Sequence, residues 1–195
     1  MNLHQAFNME KLAVQHAQTI FAAAKPIIRI FGVGGKRWKR NVASGGRVGP
    51  WLQGDYNIVN EKVWNEKAAC LYLVQGSDGA IRYIGISRNG VKHRWRISPA
   101  YDAETMEQLP KRQLFHSQCW KHIEAECISR PGSTFEVRSI DAQTLMPVLA
   151  NIGTPLAGFL ALGNDHEGIV AGVERWLCNH SSSELARWNV AMTSN

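Results

Sequence analysis

Residues 68–86 constrain this chain more than any other stretch. Ala68 to Gln75 is apolar and β-prone, Gly76-Ser77-Asp78-Gly79 is a turn, and Ala80 to Ile86 is a second apolar run. This is the pattern of a β-hairpin. Two registers are open. If Gln75 faces Ala80, Tyr72 lies directly opposite Tyr83; if the loop is only Asp78-Gly79, the partner of Tyr83 is Val74. Side chains on a strand repeat every second residue, so both registers put the two phenol rings on one face. A β-bulge would break that relation.

The flanking sequence supplies helices and one more strand. Residues 4–24 read as a helix, with Phe7, Val14 and Phe21 at seven-residue spacing and Pro26 as its stop. Asn89 to Ile97 reads as a basic helix carrying Lys92, Arg94 and Arg96. Pro110 opens a longer helix to about Cys127, in which Phe115, Cys119, Ile123 and Cys127 recur every fourth residue. Thr134 to Ile140 alternates like a strand, and residues 142–162 read as helical packing. Asn164 and Glu167 have capping-box spacing before a helix from about Asp165 to Asn179, with Glu174 on the margin of its apolar stripe. The expected fold class is therefore α+β, a small antiparallel three-stranded sheet flanked by helices, over residues 67–195. Residues 1–66 are expected to be a mainly helical and loop extension.

Charge is uneven along the chain. Residues 1–66 hold nine Lys/Arg against four Asp/Glu, and residues 67–195 hold thirteen against twelve. From Lys25 to Arg47 seven basic residues occur without one acid, interleaved with glycines, Phe31 and Trp38. Such a stretch reads as loop or short strands and suits a polyanionic partner. Gly32-Val33-Gly34-Gly35-Lys36 has the wrong glycine spacing for a Walker A loop, and Arg37 stands where Ser or Thr is required. The four cysteines form no CxxC pair, and His116-x-x-Cys119-x-x-His122 fits no common zinc finger. With no secretory signal and no apolar run of membrane-spanning length, a soluble cytoplasmic protein is expected.

Phosphodiester hydrolysis needs an activated water, stabilisation of the charge on phosphorus and neutralisation of the leaving oxygen. A carboxylate-held Mg²⁺ or Mn²⁺, an arginine and a tyrosine phenol can divide those tasks. Cys70-Leu71-Tyr72, Tyr83-Ile84-Gly85, Asn89-Gly90-Val91-Lys92-His93-Arg94, Gly172-Val173-Glu174 and Arg187-Trp188-Asn189 follow one another in the order of such a site. Singly, each residue has an ordinary role as packing, surface charge or cap. Together, over roughly residues 67–190, they resemble the GIY-YIG nuclease family.

The resemblance implies a site in which Tyr72 and Tyr83 line the sheet, Arg94 faces the scissile phosphate, Glu174 binds the metal and Asn189 braces the centre. Some members add a histidine near the attacking water. His93, His116 and His122 are the candidates here, with His116 preferred. The substrate implied is double-stranded DNA, contacted by Lys36, Arg37, Lys39, Arg40 and Arg47 of the basic segment and by Lys92 and Arg96. A sequence-specific type II restriction endonuclease, acting as a homodimer on DNA, is the expected function. A phage, mobile-element or toxin-like DNase of the same fold, or a catalytically weak DNA-binding module, remains the alternative.

Overall fold

The computed structural model describes residues 3–39, 51–102, 104–105, 107–117, 119–180 and 185–189, with side chains apart from those of 3–7, 51, 97–100 and 109–116. The chain begins with α1 (Leu3–Ala23), followed by β1 (Lys25–Trp38), β2 (Trp51–Ile58) and the short α2 (Glu61–Asn65). The expected hairpin is β3 (Cys70–Gly76) and β4 (Ile81–Ser87). A 3-10 turn (Val91–His93) leads to β5 (Arg96–Tyr101) and β6 (Gln108–His116), then to α3 (Trp120–Ser129). The chain continues through β7 (Phe135–Asp141), α4 (Ala142–Ile152), a 3-10 segment (Leu156–Leu162) and α5 (His166–Asn179).

The central sheet has five antiparallel strands, not three, in the order β2-β1-β7-β3-β4. The two additional strands come from the segment expected to be a helical and loop extension. Ile27, Ile28 and Ile30 are fully buried, and Lys25 to Ile30 pair with β7. Three register shifts explain why the stretch reads as irregular. They fall at Pro26/Ile28, Ile30/Gly32 and Val33/Arg37, and each interrupts the two-residue alternation that identifies a strand.

Two other helices differ from expectation. Gly90 has φ +77°, a backbone that stops a helix from running through residues 89–97, so only the 3-10 turn forms before β5. Pro110 lies within β6, a strand of the two-stranded β5-β6 sheet, where a missing N–H is tolerated. The four-residue recurrence begins in earnest only at Cys119, which caps α3 and is followed on that helix by Ile123 and Cys127. At α5 the capping side chain is Asp165, accepting from the Gly168 amide at 2.9 Å, rather than Asn164.

Helices cover both faces of the sheet. On one face, Leu71, Leu73, Ile81, Ile84 and Ile140 pack with the apolar stripes of α1, α4 and α5. On the other, Tyr72, Val74, Tyr83 and Val137 pack with Trp64, Trp95, Trp120 and Ile123. All four cysteines are buried in the two cores and none is in a disulfide. No helix among the described residues is long and apolar enough to cross a membrane.

The 3-10 turn is fastened to the lead-in of β3. The Gly90 amide donates to the Ala68 carbonyl at 2.9 Å, and the Ser87 hydroxyl donates to the Gly90 carbonyl at 2.6 Å. A Cβ at position 90 would lie 1.8 Å from the Glu66 carbonyl oxygen. Gly90→Ala is therefore expected to destabilise the fold by about 3 kcal/mol or more, since it combines a left-handed backbone with a backbone clash. Urea denaturation measures this; a midpoint unchanged from the parent would contradict the packing described.

Candidate active site

The hairpin register settles where the two phenols sit. Val74 pairs with Tyr83 and Tyr72 with Gly85, while Gln75 pairs with Ile81. Arg82 is thus the extra residue of a bulge between the turn and Tyr83. Because the bulge lies outside the Tyr72–Tyr83 interval, both rings remain on one face, with centroids 5.9 Å apart and planes 27° apart. Trp95 meets the edge of Tyr72 at 6.4 Å.

Gly85 is the seat of this pair. Its backbone is not left-handed, so conformational freedom is not the reason for a glycine here. A Cβ would lie 2.6 Å from both Cζ and Oη of Tyr72 and 2.7 Å from Cε1 of Tyr83. The Tyr72 ring crosses the neighbouring strand at the one position that has no side chain.

Four of the expected residues converge electrostatically. Arg94 ends the 3-10 turn, where its Nε donates to the Ile86 carbonyl at 3.0 Å. Its guanidinium acts on Tyr72 and on Glu174, and Glu174 in turn acts on Tyr83. Glu174 belongs to α5, which packs on the opposite face of the sheet, and its charge acts on the Tyr83 phenol. Burial pushes that carboxyl up to about 7 against the opposing pull of Arg94 and Arg175. Burial also pushes Tyr83 up to about 12 and Tyr72 well above the usual phenol range. The Tyr72 hydroxyl donates toward the Tyr83 oxygen, which reinforces the rise at Tyr72 and opposes it at Tyr83. With Tyr72 3% and Tyr83 6% exposed, the exposed Arg94 forms the open rim.

Asn189 braces the site through the backbone. β4 is an edge strand, so one side of it lacks a strand partner. The Asn189 side chain replaces that partner at Ile84, accepting from its amide at 3.0 Å and donating to its carbonyl at 2.5 Å. The Ala186 and Trp188 amides donate to the carbonyls of Ile81 and Arg82 at 2.8 and 3.0 Å.

Arg82, Glu126 and Arg187 form a supporting network that the sequence reading missed. Arg82 is 3% exposed and bonds Glu126 of α3 through Nε and Nη2, at 3.2 and 2.9 Å, and Asp78 at 2.6 Å. Arg187 bonds the same Glu126. Burial alone would raise Glu126, but these bonds outweigh it and hold the carboxylate below the usual range. An arginine inside an apolar strand was the available signal, since a buried charge requires a partner.

The histidines and the basic segment are placed differently from one another. His116 ends β6, and its side chain lies outside the described residues. His93 is exposed on the 3-10 turn, and His122 stacks on Trp188 with centroids 5.7 Å apart. Lys36 pairs with Asp102 at 3.1 Å and lies over Trp38, which is buried. Arg37 pairs with the buried Glu124 at 2.5 Å. Lys39 exchanges backbone hydrogen bonds with Tyr101. Arg40 and Arg47 lie outside the described residues. Lys92 and Arg96 are exposed beside Arg94.

Glu174 is the residue able to hold a metal. It is 7% exposed, and no hydrogen bond or ion pair to its carboxylate forms among the described residues. No group of three or more His, Cys, Asp or Glu gathers among those residues, so a transition-metal cage is not formed by them. One carboxylate suits Mg²⁺, which keeps several waters and takes phosphate oxygens as further ligands.

Two results are expected from this geometry. Asn189→Ala leaves the Ile84 amide and carbonyl unpaired at a buried edge, at about 1–3 kcal/mol, and hydrogen exchange at Ile84 should accelerate; unchanged exchange would contradict the brace. Glu174 binds a proton more tightly folded than unfolded, so its contribution to stability is present below pH 4.5 and is lost as pH rises through about 7. Glu174→Gln should consequently exceed the parent in stability at pH 8 and lose that advantage at pH 4. Equal urea midpoints at both pH values would show that the carboxyl is not strained by burial. No protein-family model, curated protein or solved structure gives a significant match to this chain.

Proposed function

We propose that this protein is a GIY-YIG nuclease, a divalent-metal-dependent endonuclease that hydrolyses phosphodiester bonds in double-stranded DNA. The observation that carries the reading is that Tyr72 and Tyr83 stack on one face with ring centroids 5.9 Å apart, while Arg94 acts on Tyr72 and Glu174 and Glu174 acts on Tyr83, the four coming from separate segments of chain. A structural role alone gives no reason for a buried carboxyl with no hydrogen bond or ion pair among the described residues to lie in the field of Tyr83 and an exposed guanidinium.

Hydrolysis forms a bond from a water oxygen to phosphorus and breaks the bond from phosphorus to a deoxyribose oxygen. The water's proton leaves to a base, and the departing oxygen gains one. A Mg²⁺ or Mn²⁺ held by Glu174 would supply Lewis acidity to the phosphate and its leaving oxygen. Arg94, at the exposed rim, offers a guanidinium to the non-bridging oxygens and stabilises charge that develops there. Burial keeps both phenols protonated at neutral pH, so Tyr72 and Tyr83 meet the substrate first as hydrogen-bond donors. Positive charge is what brings a phenol into range as a base, and Arg94 already acts on Tyr72 in that direction. Gly85 and Asn189 hold the geometry, one by admitting the Tyr72 ring and the other by fixing the backbone next to Tyr83. Within this class, a sequence-specific type II restriction endonuclease that dimerises on DNA is the reading we adopt.

Plasmid cleavage tests the reading. Magnesium-dependent cutting into discrete bands is expected; a smear would indicate a low-specificity DNase, and salt-sensitive binding without cutting would indicate a binding module. Glu174→Gln should abolish cleavage while DNA binding persists, and undiminished cutting would refute the metal-ligand assignment. Tyr72→Phe, Tyr83→Phe and Arg94→Ala should each slow the single-turnover step by about 10²-fold or more. Gly85→Ala should match them by displacing Tyr72, and parental rates in all four would show that the chemistry lies elsewhere. Metal binding needs the ionised carboxylate, so Mn²⁺ affinity without DNA should climb with pH to about 7 and then level. A pH-independent affinity would separate Glu174 from the metal.

A further inference from the structure

Beside Arg94 lies a cleft of about 360 Å³ lined by Asn65, Glu66, Lys67, Asn89, Lys92, His93 and Arg96. It holds three cations against one carboxylate. Three cations of β1 are matched within the fold, Arg29 by Glu136, Lys36 by Asp102 and Arg37 by Glu124. Lys67, Lys92 and Arg96, by contrast, form no ion pair among the described residues. Two of them are held in place by neutral groups that leave the charge uncompensated. Lys92 Nζ donates to the Asn65 side-chain oxygen at 2.9 Å, and Arg96 Nε donates to the His93 carbonyl at 3.2 Å. The remaining ammonium protons of Lys92 and the terminal nitrogens of Arg96 are unused among the described residues. The platform is stiff as well, because the Gly90 contact fastens the 3-10 turn to residues 66–68.

We propose that this cleft between α2 and the 3-10 turn is a backbone-phosphate subsite, taking a phosphate of the cut strand close to the one that faces Arg94. Arg96 follows Arg94 by two residues, a span of at most about 7 Å. Nucleotides advance about 3.4 Å along the duplex axis per step on each strand. Allowing for the reach of the two side chains beyond that backbone span, the subsite holds a phosphate within a few nucleotides of the scissile one. It reads no bases; it fixes the register in which the strand lies across the phenols. The inference rests on the nuclease reading above and adds Lys67 to the DNA-contacting residues, with Asn65 orienting the Lys92 ammonium.

The test uses the full chain carrying Glu174→Gln, so that duplex DNA is bound without being cut. Binding is titrated across salt concentrations for Lys67→Ala, Lys92→Ala and Arg96→Ala added to that background. Each should weaken binding on unrelated sequences alike and reduce the salt slope by about 0.9. Lys92→Arg should restore the slope, and Lys62→Ala, on α2 but outside the cleft, should leave it unchanged. In the cleaving parent, neutral methylphosphonates placed singly across the few nucleotides beside the cut should include one that slows the reaction; in Lys92→Ala the same substitution should add little. Unaltered slopes in all three variants, with DNA still bound and the parent still cutting, would overturn the subsite and leave the nuclease reading standing. A parent protein that neither binds nor cuts DNA would remove both.

Discussion

The candidate site depends on a guanidinium placed inside a strand. Arg82 occupies the bulge of β4, and its extra residue lets Ile81 and Ile84 enter one core while Tyr83 enters the other. A buried arginine is tolerated only with a partner, and Glu126 provides one from α3. The same carboxylate receives Arg187, so a single ionic centre links the β4 bulge, α3 and the segment that carries Asn189. The register of the phenols, the position of the helix over them and the brace behind them are consequences of one charge being matched.

Chemistry then gathers where the two cores meet. α5 packs on the face opposite the phenols, yet the charge of its marginal residue Glu174 acts on Tyr83. A carboxyl so buried is raised to about 7, and the nearby cations only partly offset that. The phenols are raised by the same exclusion of water. Burial thus holds both phenols in their neutral forms and brings the Glu174 carboxyl into the neutral pH range, with Arg94 as the exposed charge at the rim.

What could be read beforehand follows the reach of each signal. The hairpin was legible because apolar alternation and a glycine-bounded turn are local, and the bulge fell outside the interval between Tyr72 and Tyr83. Glu174 was legible as the margin of a helical stripe, and α5 has that stripe. β1 was obscured by three register shifts, so its strand character emerges only from pairing with β7 and β2. The 108–116 strand was obscured by a proline equally suited to opening a helix. The basic run pointed to a polyanion, but Asp102 and Glu124, distant in sequence, meet Lys36 and Arg37 in the fold. Glycine at 85 was visible as a letter; that a ring lies over it was not.

Closing the β4 edge has an effect on how copies of this chain can associate. Outward-facing backbone groups of an edge strand are a template for sheet extension by another molecule. Here the Ile84 amide and the carbonyls of Ile81, Arg82 and Ile84 are occupied by residues 186–189 of the same chain. A second protomer cannot continue the sheet from this side without unzipping that segment, and with it Asn189. Intermolecular β-pairing at β4 and an intact Asn189 brace are mutually exclusive states of the molecule.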